Sequence, residues 1–159
     1  MTTKTRDTLI EAVPDLPSVR IVREFDAPRD EVFRAWTEPE LVARWLGPKE
    51  LEMHLDTWDA RTGGSYRYTA VRDGREIAEF YGSFHEVRPP SRIVQTFGYV
   101  GMPDAVSLEI GTFDDLGRGR TRVTSLSIVD TLESRDAMLA SGMEVGIVEG
   151  YEKLDALLA

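Results

Sequence analysis

His54 and Asp56 lie two residues apart in a strand-like stretch, so their side chains share one face of a strand. In that arrangement a carboxylate can orient an imidazole serving as general base; the plainer reading is a pair on the water-facing surface, where such side chains mostly sit. Ser83 and His85 repeat the spacing. A nucleophile with its base is the sharp reading there, but Ser83 does not sit in the glycine-flanked strand-to-helix elbow that such a serine uses. Asp59 and Arg61 read as a strand-end ion pair shaping the turn at Gly63 and Gly64.

A second set of residues is suited to binding. Trp36, Trp45, Trp58, Tyr66, Tyr68, Phe84 and Phe97 are either core or the wall of a cavity for a flat or greasy molecule. Gln95 falls inside an apolar stripe, where its amide needs a partner, and a bound molecule is one candidate. Near the C-terminus Met143, Ile147, Tyr151, Leu154 and Leu158 recur at helical steps, beside a row of Gly142, Gly146 and Gly150. Glycine inside a helix costs roughly 1 kcal/mol relative to alanine, so this row implies either a surface packed close to the backbone or space for a ligand. Glu144, Glu149, Glu152 and Asp155 fall mainly on the other side of the helix, as a solvated face or one that meets a basic partner.

Composition narrows the classes of function. The 159 residues carry a formal net charge of -9, and the basic residues are scattered singly, which disfavours nucleic acid. Without cysteine and with only two histidines, a metal site is poorly supplied and no cofactor is expected. No apolar run approaches the roughly 18 residues of a membrane span, and the start lacks a signal-peptide core, so the expectation is a cytoplasmic protein.

These residues need elements to hold them. Residues 1–17, with Pro14 and Pro17 and little periodicity, read as a flexible N-terminal arm, and residues 18–159 as a single domain. Val19 to Phe25 reads as a first strand. Pro28, with Asp30 and Glu31 behind it, opens a short helix, and Thr37 with Glu40 has the spacing of a capping box for a second one ending at Gly47 and Pro48. From Glu50 to Val129, strands alternate with turn signals such as Asp73–Gly74 and Pro89–Pro90. One long helix from Thr131 to Ala159 closes the chain, giving an α+β order of about seven antiparallel strands, with two short helices after the first. A twisted sheet of that size has one face to cover, and the last helix is the element long enough to cover it.

Phe25, Asp26, Ala27 and Pro28, then Val32, Ala35, Trp36, Thr37, Pro39 and Trp45, resemble the opening of the family named after the activator of Hsp90 ATPase. Asp59, Arg61, Gly63 and Gly64, the Pro89–Pro90 turn, and Gly150 with Tyr151 and Leu154 resemble its later signatures, from about Val19 onward. Tyr151 stands where the family frequently has tryptophan. The family is similar to the wider START-like group of helix-grip proteins. The resemblance implies a curved sheet gripping the long helix, with a cavity between them; it does not imply one activity.

Three functions are compatible with this reading. The first is a binding protein for a hydrophobic or aromatic small molecule, with Trp36, Trp45, Trp58, Tyr66, Tyr68, Phe84, Gln95, Phe97, Met143, Ile147 and Tyr151 around the cavity. The second is an enzyme of cyclase, dehydratase or hydrolase type in the same cavity, with His54, Asp56 or Tyr68 moving a proton. The third is a chaperone-associated or stress-response protein acting through its outer surface. A monomer and a homodimer are both compatible with the sequence.

Overall fold

The protein is described here by a computed structural model, which covers the backbone of residues 2–5 and all of residues 8–159. Strands β1 (Thr2–Thr5), β2 (Thr8–Ala12) and β3 (Ser18–Phe25) open the chain. Helices α1 (Arg29–Thr37) and α2 (Pro39–Trp45) follow, then β4 (Glu52–Trp58), β5 (Ser65–Arg72), β6 (Arg75–Arg88), β7 (Arg92–Tyr99), β8 (Val106–Gly117) and β9 (Arg120–Ile128). Two helices, α3 (Leu132–Ala140) and α4 (Met143–Leu158), end it. Among the described residues the strands form one nine-stranded sheet in the order β1-β2-β3-β9-β8-β7-β6-β5-β4, with every neighbouring pair antiparallel. This is an α+β helix-grip fold, a curved sheet closing around the C-terminal helix.

The order explains the two short helices. β3 and β4 are consecutive in the chain but lie on opposite sides of the sheet, and α1 and α2 make the crossing between them. Pro28 precedes α1 with extended backbone, and Asp30 and Glu31 occupy the first turn, where negative charge suits the helix dipole. The expected capping box does not form. Thr37 belongs to α1 and its hydroxyl donates back to Phe33 O at 3.2 Å, while Glu38 is the residue ahead of Pro39 and α2. The Asp73–Gly74 signal does form its hairpin, with both residues at positive φ between β5 and β6.

Two expectations are corrected. Part of the predicted N-terminal arm is sheet: Thr8–Ala12 pairs with β3, and Ile10 is buried opposite Ile21, because residues 8 and 10 continue the inward face of β3. Thr2–Thr5 pairs with β2 in turn, which raises the strand number above seven; residues 1, 6 and 7 of that arm lie outside the described residues. The C-terminal helix is two helices. Thr131 caps α3 by accepting from Ser134 N at 3.0 Å, and Gly142 takes φ +88, a left-handed conformation that ends the run before α4 begins at Met143. Gly142 is therefore a joint, and only Gly146 and Gly150 lie within a helix.

Inside the curve, Phe25, Val32, Phe33, Trp45, Phe113, Tyr151 and Leu154 belong to one buried cluster. Arg23 faces inward with them, its guanidinium 4.8 Å from the Phe25 ring and donating to Asp155 Oδ1 of α4 at 2.8 Å. On the other side of α4, Lys49 bonds Glu149 and Glu152. The acidic face of this helix is thus partly used to hold it on the sheet and on the loop after α2.

Candidate functional site

A cavity of about 810 Å³ lies between the concave face of the sheet and the α2, α3 and α4 side of the molecule. Its exposed lining residues, Glu50, Ser141, Gly142 and Val145, mark the mouth beside the α3–α4 joint. The inner end is aromatic. Trp36 sits 4.7 Å from Trp45 and 6.0 Å from Tyr151, centroid to centroid, and packs edge-on against Phe113. The floor is built by strand alternation: Tyr66 and Tyr68 of β5 stack at 6.1 Å, and Phe80 of β6 stacks on Phe97 of β7 at 5.4 Å. Trp45 and Trp58 direct their indole N–H groups away to backbone carbonyls, Ala35 O at 2.8 Å and Thr37 O at 2.9 Å, so the walls they offer are apolar faces.

Trp36, Trp45, Trp58, Tyr66, Tyr68, Gln95, Phe97, Met143, Ile147 and Tyr151 all line this cavity. Phe84 does not. It is 2% exposed and lies behind the wall, 5.7 Å from the Trp58 ring and 5.3 Å from the Tyr66 ring, where it supports both. The proposed proton-transfer pair is also misplaced. His54 is exposed and approaches Glu52 at 3.4 Å, whereas Asp56, past a bulge between Leu55 and Thr57, accepts from Thr69 Oγ1 at 2.9 Å. The bulge turns the two side chains to different partners, and both residues are exposed, outside the cavity lining. Ser83 and His85 are exposed on β6 in the same way. Asp59 and Arg61 do form an ion pair, at 2.9 Å, at the turn that carries Gly63 and Gly64.

The polar groups inside come from a row that the strand register assembles. Gln95 of β7 is opposite Glu109 of β8, which is opposite Ser127 of β9. One oxygen of the Glu109 carboxyl, Oε1, accepts from both Ser107 Oγ and Ser127 Oγ at 2.9 Å. Burial pushes the Glu109 carboxyl above the usual carboxylate range, and the two serine hydrogen bonds oppose that shift without cancelling it. Burial likewise raises the Tyr66 and Tyr68 phenols well above 10, and it raises Tyr151 to about 12, against the opposing pull of Ser125 and Arg23. Tyr66 donates to Thr96 O at 2.6 Å. Raised in this way, the three phenols hold their protons and act as neutral hydrogen-bonding groups.

Glu109, Ser107, Ser125 and Ser127 escape the sequence reading. The available signal is Gln95, an amide in an apolar stripe, whose cross-strand neighbour is Glu109. Among the described residues no three His, Cys, Asp or Glu side chains converge as a metal site, and no helix is long and apolar enough to cross a membrane.

Solved structures share this architecture. A protein of Arthrobacter aurescens is 26% identical, with a TM-score of 0.84 over 94% of this chain and 90% of its own. A protein of Rhodobacter sphaeroides is 24% identical, with a TM-score of 0.86 over 96% of this chain and 98% of its own. Protein Ms6760 of Mycobacterium smegmatis is 23% identical, with a TM-score of 0.84 over 100% and 98%. No curated protein matches the chain. Residues 26–159 match the family described as activator of Hsp90 ATPase homolog 1-like protein, from the end of β3 through α4. The chain belongs to the activator of Hsp90 ATPase homolog 1-like family.

Proposed function

We propose that this protein binds an apolar or aromatic small molecule in the cavity between its sheet and α4. The observation that carries the reading is the cavity itself: about 810 Å³, walled by aromatic faces and entered beside Gly142, with a few polar groups gathered in one row. Ligand pockets typically enclose roughly 300–1,000 Å³, mostly apolar, with a small number of placed polar groups that fix orientation. His54 and Asp56 are exposed and outside the cavity lining, which favours the binding reading over the enzymatic alternative that named them with Tyr68.

Titration with the neutral fluorophore N-phenyl-1-naphthylamine tests the reading, alongside native mass spectrometry of the protein from its own source. The expected result is saturable one-to-one binding that weakens at least about tenfold, or 1.4 kcal/mol, in Ile147→Trp, which fills the cavity from α4. Thermal unfolding of the variant checks that it remains folded. Absence of saturable binding, or equal binding by a folded Ile147→Trp, would overturn it.

A further inference from the structure

We propose that the molecule taken into the cavity is an apolar amine, and that Glu109 selects it by receiving its ammonium group between the aromatic walls. This rests on the cavity-binding reading above and names the chemical class of the occupant. Three observations carry it. First, the charges on the cavity wall have one sign: Glu50 at the mouth and Glu109 inside are the charged side chains that line it, and no lysine, arginine or histidine does so among the described residues. Glu50 is engaged by Arg72 at 2.8 Å, which leaves Glu109 as the interior charge.

Second, one oxygen of Glu109 is held and the other is open to the cavity. Ser107 and Ser127 both donate to Oε1, which fixes the carboxyl group, while Oε2 has no hydrogen-bond partner among the described residues and is not one of their fully buried atoms. A buried carboxylate without a cation is costly, and a glutamine would accept and donate hydrogen bonds here at a smaller desolvation cost. What the carboxylate adds over an amide is negative charge. An ammonium group meets that charge; a neutral alcohol does not need it, and a carboxylic acid is repelled by it.

Third, the rings that share the cavity with Glu109 are of the kind to which a cation is drawn: Trp36, Trp45 and Tyr151 on the helical side, and Tyr66, Tyr68 and Phe97 on the sheet, all line it, and they can bury the apolar remainder. The chain's net charge of -9 favours the approach of cations over anions.

The test is calorimetry on the whole chain, at neutral pH and low salt, with three probes of one shape: 1-naphthylmethylamine, 1-naphthalenemethanol and 1-naphthoic acid. The amine is expected to bind at least about tenfold more tightly than the alcohol, with the acid weakest. Glu109→Gln should bring the amine down to the level of the alcohol and leave the alcohol nearly unchanged, whereas Glu76→Gln, exposed on β6 and outside the lining, should keep the preference. The comparison of probes on the unmodified protein stands even if a variant fails to fold. Binding of the alcohol or the acid as tightly as the amine would overturn this inference and leave the cavity reading in place. A preference that survives in folded Glu109→Gln would also overturn it. Binding of none of the three would overturn both.

Discussion

The two halves of α4 meet different surroundings. From Gly150 onward the helix is packed: Gly150, Tyr151 and Leu154 are buried, and a Cβ placed on Gly150 would lie 3.0 Å from Trp45 O and 3.5 Å from Gly47 N. Toward its start, Met143 and Ile147 are half-buried at the cavity, and a Cβ on Gly146 would only touch Pro48 at 3.5 Å. Two glycines one turn apart thus serve different ends. Gly150 lets the loop after α2 approach the helix backbone, and near Gly146 the helix wall stands beside open space. A row of small residues does not choose between close packing and ligand room; the neighbouring element does.

The difference is sharpest in stability. Leu154→Ala removes a side chain with no exposed surface from the packed half and should cost about 2–5 kcal/mol in denaturant unfolding. Met143→Ala, in the half that faces the cavity, should cost markedly less. Equal losses would break the distinction between the halves. Gly150→Ala comes next: its methyl group meets a backbone carbonyl that cannot swing aside, so a loss of about 1–3 kcal/mol is expected.

The packed half is the more legible one. Tyr151 and Leu154 fall on the helical stripe, and Gly150 with them on the family's closing signature, because burial on one face leaves a period in the sequence. The break at Gly142 is hidden because Met143 starts the apolar stripe in phase with Ile147 and Tyr151. β2 escapes because Thr8–Ala12 is short and precedes Pro14 and Pro17, which read as an arm. The polar row escapes for a different reason. In β8 the usual alternation is reversed: Ser107 is buried and Glu109 lines the cavity, while Val106 is 56% exposed and Leu108 37%. Assigning acids to water and valine to the core puts that strand inside out. Such a reversal is informative where the inner face lines a cavity, since polar groups there are open to any occupant.

Glu109 tests whether the cavity half carries stability of its own. Burial raises its carboxyl above the usual range, so the ionised form is less favourable in the folded protein than in the unfolded chain. A carboxyl raised on folding contributes most below its unfolded value, and that contribution is lost as pH rises through the folded one. Glu109→Gln removes the titration. The variant should therefore be more stable than the parent at pH 8, by about 1 kcal/mol, with the gap closing toward pH 4. Thermal unfolding across that range measures it. A gap that widens on acidification would mean the carboxylate is stabilised by its surroundings, and the serine pair rather than burial would then dominate.

Gly146→Ala has the smallest expected effect and the opposite sign from Gly150→Ala. The residue is within α4, its backbone is not in the left-handed region, and its new methyl would rest at ordinary contact distance from the Pro48 ring. Nothing opposes the gain from replacing a glycine inside a helix, roughly 0.5–1 kcal/mol, about 1–4 °C in Tm for a chain of this length. The methyl also points toward the Pro48 side of the cavity rim, so binding of N-phenyl-1-naphthylamine should change little. A loss of stability at Gly146 would show that the loop after α2 presses on both halves of α4. A gain at Gly146 beside a loss at Gly150 places the boundary between gripped helix and cavity wall within a single turn.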